Sequence, residues 1–244
     1  MTEMRDWLTR EVLKAAEDIP EDLEGYVLGR GLPESLMLEM KVGLTRRSET
    51  PAPDPVFRER NGNYGQHRAG WLSIPFWSPK GRIVGIEYRR WDGEKEMRDY
   101  RLPETHWIPV FIGLTPSVLQ KIWDGGDVWL VEGVFDLTLA HVVPETDAVL
   151  ACSTARLTRS QTDFLARFLS SSAMAHVAFD EDETGRKMAL GYTEEKTGKR
   201  VVGALERLER VQINNRHVRY RGGKDPGEIW EAGGKPALIK AFNL

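Results

Sequence analysis

Cysteine is nearly absent from the 244 residues: only Cys152 is present, so no internal disulfide can form. The five histidines are scattered, and no Cys/His cluster offers the ligands of a structural zinc site. No segment approaches the roughly 20 apolar residues of a membrane helix, and acids occupy the N-terminus where a signal peptide carries basic and then apolar residues. These absences predict a cytoplasmic protein without zinc or membrane contact, in which any metal is held by oxygen ligands.

A large excess of one charge is also missing. The formal net charge is −3, which argues against a protein that coats nucleic acid indiscriminately. The charge is unevenly distributed, because residues 1–25 carry 3 basic and 8 acidic side chains whereas residues 26–101 carry 14 and 10. Charge alone favours a solvated surface over a binding face for this basic middle region. The composition, with 41% hydrophobic residues, is that of an ordinary globular protein of one large or two small domains.

The first half of the chain predicts a mixture of helices and antiparallel strands. Apolar residues at helical spacing predict an amphipathic helix at 4–17, which packs on the body of the protein or on a partner. Short helices are expected at 25–28 and from Pro33 to about residue 40. Residues 71–77 and 82–91 predict two strands joined by a Pro-Gly turn, and the Pro-, Asn- and Gly-rich segment 45–70 predicts a loop or an insertion.

The second half alternates between continuous apolar runs and amphipathic segments. This alternation predicts a parallel, doubly wound sheet, with ligand sites at the carboxyl ends of its strands. The fold class is therefore α/β, a mixed α+β N-terminal subdomain followed by a Rossmann-like parallel sheet. The predicted strands are 128–131, 148–151, 175–179 and 216–220; the predicted helices are 135–142, 160–169, 184–208 with an interruption near Gly198, and one or two after Pro226.

Acidic side chains follow three of these predicted parallel strands. They are Glu132 after the first strand, Asp180 and Asp182 after the third, and Asp225 after the fourth. Adjacent strands lie about 4.8 Å apart, so these carboxylates converge and repel one another unless a cation lies between them. Oxygen-only ligation is the pattern of Mg²⁺ in phosphoryl transfer. The alternative, that each acid caps a helix, is favoured for one site but not for three together.

Three segments resemble the motifs of the TOPRIM domain of DnaG-type bacterial and phage primases, in the same order and spacing. They read LVEGVFD at 130–136, FDEDETGR at 179–186 and GKDP at 223–226. Upstream segments resemble the same family, so the resemblance covers about residues 25–240. It implies a basic α+β primase subdomain at 26–110 and a TOPRIM domain at 111–244, while charge and apolar spacing set apart an N-terminal acidic helix at 1–25.

The resemblance also implies an activity and a metal site. A primase-type RNA polymerase makes short RNA primers on single-stranded DNA from nucleoside triphosphates by two-metal phosphoryl transfer. By position, Glu132 organises metal or transfers a proton, Asp180 and Asp182 ligate Mg²⁺ or Mn²⁺, and Asp225 completes the cluster. Asp136 and Glu228 are metal ligands or structural residues, Asp136 being also a candidate helix cap.

Basic residues are the candidates for binding template and nucleotide. Because alternate residues of a strand face opposite sides, Arg82 with Arg89 or Arg90 is the preferred set for one groove. Arg186 and Lys187 can instead form local ion pairs with Glu183. The nearby tryptophans Trp71, Trp77 and Trp91 are better interpreted as packing residues than as platforms for bases. The candidates are Arg68, Lys80, Arg82, Arg89, Arg90, Arg98, Arg101, Arg186, Lys187 and Lys224.

The chain departs from the family pattern at several positions. Gly227 stands where the third motif usually has a second aspartate, and the family's basic residues near 106–110 are replaced by HWIPV. A polar stretch at 192–200 interrupts a predicted helix. A TOPRIM nuclease and a non-catalytic nucleic-acid-binding module are therefore alternative functions. Neither a zinc ribbon nor a helicase-binding bundle is evident, so a helicase or a separate zinc-ribbon protein is a candidate partner.

Overall fold

The computed structural model describes residues 2–46, 69–93, 97–102, 110–153 and 156–244. Arg68, the segment 106–109 and most of the predicted loop at 45–70 lie outside these ranges. Within them, no helix combines the length and the apolar character that crossing a membrane requires.

The described residues of the N-terminal half form three helices and a four-stranded antiparallel sheet. The sheet order is β1-β2-β3-β4, with β2 and β3 forming the predicted hairpin. The elements are α1 (Thr2–Glu17), α2 (Glu21–Gly29), α3 (Glu34–Met40), β1 (Gly43–Leu44), β2 (Leu72–Trp77), β3 (Ile83–Arg89) and β4 (Met97–Arg101).

Helix α1 packs on one face of this sheet through the apolar stripe that its sequence predicts. Trp7, Leu8 and Val12 are almost completely buried, and they cluster with Ile86 and Tyr88 of β3. Burial of each such side chain contributes roughly 1.5–3 kcal/mol. The opposite face of the sheet joins α2 and α3 in the main core. The predicted helix is confirmed, and its apolar side packs on the protein itself.

The C-terminal half is built on a four-stranded parallel sheet of order β10-β7-β5-β6. The predicted fold class, α/β with a parallel sheet after a mixed α+β half, is confirmed. The elements are α4 (Pro116–Trp123), β5 (Val128–Val131), a 3-10 helix (Val134–His141), β6 (Ala148–Ala151), α5 (Arg159–Phe168), β7 (Met174–Val177), α6 (Glu183–Leu190), β8 (Tyr192–Thr193), β9 (Arg200–Val201), α7 (Ala204–Arg210), β10 (Asn214–His217) and α8 (Pro226–Phe242).

Two consecutive residues connect the sheets. Phe111 forms an antiparallel bridge with Trp77 at the end of β2, and Ile112 forms one with Ala151 at the end of β6. The Ile112 amide donates to the Ala151 carbonyl over 2.9 Å, and the Ala151 amide donates in return over 3.0 Å. The backbone therefore passes from one sheet to the other without an intervening linker.

Several predicted elements differ in detail. The helix predicted at 135–142 is present at Val134–His141 and is wound as a 3-10 helix; at its start the Asp136 carboxylate accepts from the Gly133 amide. The last strand ends at His217 rather than 220, since Tyr220 turns inward and its hydroxyl donates to the Phe179 carbonyl. The interruption near Gly198 is the β8–β9 hairpin, in which Gly198 has a positive φ of 66°. The closing helix α8 is kinked at residues 233–234, which agrees with the prediction of one or two helices after Pro226.

Candidate active site

Glu132 connects the carboxyl ends of β5 and β7. Its Oε1 accepts a hydrogen bond of 3.1 Å from the Asp180 backbone amide. Helix α6 approaches closely because Gly185 lacks a side chain: a Cβ there would lie 2.8 Å from Glu132 Oε1 and 2.2 Å from the Asp180 carbonyl oxygen. Burial and the charge of Asp180 raise the pKa of Glu132 to about 7. Glu132 can therefore exchange a proton near neutral pH.

Asp136 lies deepest in the site. Its Oδ2 accepts a 2.8 Å hydrogen bond from the Gly133 amide, and its Oδ1 accepts a longer one, 3.4 Å, from Gly227. Burial, together with the charges of Asp225 and Asp180, raises its pKa to about 8. One carboxylate oxygen from each of Asp136, Asp180 and Asp225 lies within 4.8 Å of the others. We call these three residues the carboxyl-edge triad.

Lys224 bridges the two aspartates of the second motif. Its Nζ lies 3.2 Å from Oδ2 of Asp180 and 3.2 Å from Oδ2 of Asp182. Burial raises the pKa of Asp180. The pKa of Asp182 is instead lowered, chiefly because its Oδ1 accepts a 2.8 Å hydrogen bond from the Gly185 amide at the start of α6. Asp182 is thus both a helix cap and a half-exposed anion beside the triad.

The third motif shapes the remaining wall. Asp225 caps α8, because its Oδ1 accepts a 2.7 Å hydrogen bond from the Glu228 amide. The Glu228 side chain folds back, and its Oε2 accepts a 2.5 Å hydrogen bond from the Lys224 amide. A Cβ on Gly227 would lie 3.3 Å from Asp225 Oδ1. Asp136 thus belongs to the triad, whereas the Glu228 side chain holds the loop before α8 through its hydrogen bond with the Lys224 amide.

Arg186 and Lys187, at the start of α6, both form local ion pairs. The Arg186 Nε donates to Glu181 over 3.2 Å, and Arg219 donates to the same carboxylate over 2.6 Å. Lys187 pairs with Glu183 over 2.5 Å, one helical turn earlier. The predicted pair with Glu183 is thus present for Lys187, while Arg186 uses Glu181 instead.

Phe135 joins the acidic site to the N-terminal half. The guanidinium carbons of Arg30 and Arg89 lie 4.5 and 5.1 Å from its ring centre, within cation–π distance. Tyr26 meets the same ring edge-on at 6.0 Å. Arg30 also pairs with Glu231 of α8. Neither Arg30 nor Tyr26 was among the binding residues predicted from the sequence.

The preferred basic set is not brought together. Arg82 lies at the tip of the β2–β3 hairpin with Lys80, whereas Arg89 ends β3 beside Phe135. Seven residues of strand separate the two arginines, which corresponds to about 23 Å. Arg90, beside Arg89, pairs with Asp92 over 2.9 Å.

Other predicted binding residues have structural contacts. Arg101 donates to the Ser153 hydroxyl over 2.9 Å, and the side chain of Arg98 lies outside the described part. The indole of Trp77 donates to the Met40 carbonyl over 3.0 Å, and that of Trp91 to Gly70 over 3.1 Å. These two contacts agree with the interpretation of the tryptophans as packing residues.

A second group of ionisable side chains, which was not predicted from the sequence, lies at the opposite edge of the parallel sheet. Oxygens of Asp127 and Asp147 and a ring nitrogen of His176 lie within 4.8 Å of one another. His176 Nε2 lies 2.8 Å from Asp127, and its Nδ1 accepts a 2.6 Å hydrogen bond from Arg216. The Trp129 indole donates to Asp147 over 3.0 Å. We call these residues the amino-edge network.

The carboxyl-edge triad has the chemistry of a divalent-cation site. All its donors are carboxylate oxygens, which Mg²⁺ and Mn²⁺ prefer. Burial and neighbouring acidic charges raise the pKa of Asp136 and of Asp180. The fold therefore holds these carboxylates close together despite their mutual repulsion. A hard cation relieves that repulsion.

Comparisons with known proteins agree with this geometry. Residues 129–230 match the family described as Toprim-like. The Aquifex aeolicus primase, with zinc-binding and RNA polymerase domains, has a TM-score of 0.71 at 23% identity, over 99% of this chain and 60% of that one. The RNA polymerase domain of Mycobacterium tuberculosis primase DnaG gives 0.69 at 18% identity, over 99% and 83%. A DnaG primase catalytic domain bound to ssDNA gives 0.63 at 16%, over 98% and 80%.

The predicted resemblance to DnaG-type primase cores with a TOPRIM domain is thereby confirmed at the level of fold. Curated protein sequences gave no match. The chain spans 60% of the length of the Aquifex aeolicus structure.

Proposed function

We propose that this protein is a primase-type RNA polymerase core, a nucleotidyltransferase that makes short RNA primers on single-stranded DNA. The observation that carries the proposal is the convergence of Glu132 and the carboxyl-edge triad at one edge of a sheet whose fold is that of primase catalytic cores. Such a site fits phosphoryl transfer, in which positioning and charge stabilisation supply most of the rate.

The proposed cofactor is Mg²⁺ or Mn²⁺, held by two overlapping sets of carboxylates. Asp136, Asp180 and Asp225 form the buried set; Asp180 and Asp182 form the more exposed one. A divalent ion held there would neutralise the triphosphate and the charge that develops during the reaction. In that reaction the 3′ hydroxyl oxygen bonds to the α-phosphorus, the bond from that phosphorus to the bridging oxygen of the β-phosphate breaks, pyrophosphate leaves, and the hydroxyl proton passes to a base. Glu132 Oε1 is engaged by the Asp180 amide, so Oε2 is the atom that exchanges a proton.

The basic residues are proposed to orient the polyanions. Arg30 and Arg89 flank Phe135 beside the triad, which suits a nucleotide or the nearby template. Lys80 and Arg82 at the hairpin tip suit a more distant stretch of template. Arg68, outside the described residues, stays a candidate from the sequence alone. Arg90, Arg186 and Lys187 are weaker candidates, because local carboxylates already engage them.

The remaining assignments are proposals on the same basis. We propose a cytoplasmic protein divided into an acidic helix at 1–25, a basic subdomain at 26–110 and a TOPRIM domain at 111–244. A helicase or a separate zinc-ribbon protein is the proposed partner, in keeping with the zinc-binding domain of the Aquifex aeolicus primase and the primase-helicase of bacteriophage T7.

The test is a primer-synthesis assay with single-stranded DNA of mixed sequence, four ribonucleotides and Mg²⁺ or Mn²⁺. We expect new short oligonucleotides from the natural sequence and none from Glu132→Gln or the double variant Asp180→Asn/Asp182→Asn. Glu183→Gln is the matched control, because Glu183 follows Asp182 on α6 but is exposed and pairs with Lys187.

The products also separate the alternatives. Shortened template that disappears in the same variants would identify a TOPRIM nuclease. Binding of single-stranded DNA without any product, with either metal, would identify a non-catalytic module.

A further inference from the structure

Lys224 has an unusual position among the basic residues of the site. Its ammonium lies between two carboxylates of different elements, 3.2 Å from Asp180 after β7 and 3.2 Å from the cap of α6, Asp182. A cation at this place is attracted by both anions at ion-pair distance. That place coincides with the more exposed of the two carboxylate sets.

The backbone and the side chain of Lys224 are held very differently. The backbone is anchored on both sides: its amide donates to Glu228, and its carbonyl accepts from the Glu181 amide at 2.8 Å. The side chain is 53% exposed. The ammonium can therefore leave the aspartates by rotation of its flexible stem, while the loop that carries Asp225 stays in place.

We propose that Lys224 is an internal counter-ion of the site, which competes with the divalent metal for Asp180 and Asp182 and withdraws its ammonium when the metal binds. This inference rests on the proposed metal site. The lysine stabilises the carboxylates while no metal is bound and weakens metal binding by the same interaction. Once displaced, the ammonium stays tethered at the rim, where it can meet the phosphates of the incoming nucleotide.

The test measures Mn²⁺ binding to the full chain by electron paramagnetic resonance, which reports free Mn²⁺ without requiring activity. We expect Lys224→Met to bind Mn²⁺ about fivefold more tightly than the natural sequence at low ionic strength, because a partly exposed like charge has been removed. Lys224→Arg, which keeps the charge, should stay within about twofold of the natural sequence.

Lys187→Met is the matched control, since Lys187 pairs with Glu183 directly beside Asp182 but touches neither aspartate. Its Mn²⁺ affinity should change by less than about twofold. Thermal unfolding in a chelator provides a second measurement. Lys224→Met should melt earlier than the natural sequence, and Mn²⁺ should raise its Tm by a larger interval. Lys224→Gln serves if the methionine variant does not fold.

Two results would overturn the inference, and they are distinguishable. If Asp180→Asn/Asp182→Asn abolishes Mn²⁺ binding but the neutral variants of Lys224 bind with unchanged or weaker affinity, the counter-ion role is wrong and the metal site stands. If the double aspartate variant binds Mn²⁺ as well as the natural sequence, both the metal site and the counter-ion role are wrong.

Discussion

The two edges of the parallel sheet each gather three titratable side chains, but their charges are balanced in opposite ways. At the amino edge, Arg216 donates a hydrogen bond to His176, which in turn bonds to Asp127. The Trp129 indole donates to Asp147. At the carboxyl edge, three aspartates face one another across less than 4.8 Å. The amino edge therefore pairs its acids with basic or hydrogen-bonding partners, whereas the carboxyl edge keeps a net negative charge even with Lys224 beside Asp180 and Asp182.

The pKa shifts follow this difference. At the amino edge burial raises the pKa of Asp127, but hydrogen bonds from His176 and from the Met174 amide outweigh it, so the pKa is lowered overall. At the carboxyl edge burial and neighbouring charges act in the same direction and raise the pKa of Asp136 to about 8. Proximity of acids alone does not distinguish a structural network from a functional site, whereas uncompensated charge does.

The largest effect is expected from neutralising the carboxyl-edge triad. Asp136→Asn should reduce primer synthesis at least about 100-fold, because it removes a metal-facing charge. The same substitution should raise the free energy of unfolding in a chelator at pH 8, since a buried repulsive charge is lost. Gel-resolved primer synthesis and urea unfolding measure the two quantities. A variant that loses both activity and stability would show that Asp136 is only a structural cap.

A smaller effect, on stability alone, is expected at the amino edge. His176→Ala removes a ring stacked on Trp129 at 4.3 Å and leaves Asp127 and Arg216 without their shared partner. We expect the free energy of unfolding to fall by about 2–3 kcal/mol. Mn²⁺ affinity should not change, and urea unfolding with an Mn²⁺ titration measures both. Weaker Mn²⁺ binding in this variant would mean that the edges are coupled.

The smallest effect is the pH dependence, which should have opposite signs at the two edges. Burial lowers the pKa of His176, so the folded state binds its proton less readily than the unfolded state, and stability is lost as the pH falls through about 6.5. The raised pKa values of Glu132 and Asp136 act in reverse: without metal, stability is lost as the pH rises from about 4 towards 7 and 8.

Urea unfolding between pH 5 and 8 in a chelator separates these contributions. Asp136→Asn should remove part of the loss at high pH, and His176→Gln part of the loss at low pH. Identical pH profiles for the two variants would contradict the assignment of opposite signs to the two edges.

The acids at the carboxyl edge could be predicted because each of them follows a predicted strand closely in the sequence. Each of Glu132, Asp180 and Asp225 comes after a strand or the loop that follows it, and parallel strands bring their carboxyl ends to one edge. The position of Asp136 depends on a side-chain hydrogen bond, in which its carboxylate accepts from the Gly133 amide at the start of the 3-10 helix. The sequence pattern predicted a helix there but not its tighter winding.

The amino-edge network was not predicted, although Asp127 and Asp147 each directly precede one of two paired parallel strands. His176 and Arg216 lie within two other strands, 40 positions apart, and strand residues of this kind carry no local signal of a shared network. The separation of Arg82 from Arg89 depends on how far the β2–β3 hairpin extends before it turns. The strand pattern indicates which face of the sheet each arginine lies on. It does not indicate which end of the strand lies near the site.

The bridges formed by Phe111 and Ile112 have a consequence for cooperativity. Since adjacent residues pair with β2 and β6, the two sheets share a continuous path of backbone contacts. Local opening of one half would break pairing in the other, so the amides of Ile112 and Ala151 should exchange with deuterium as slowly as those of the central strand β5. The two halves are then expected to open to solvent as one cooperative unit rather than as two independently hinged domains.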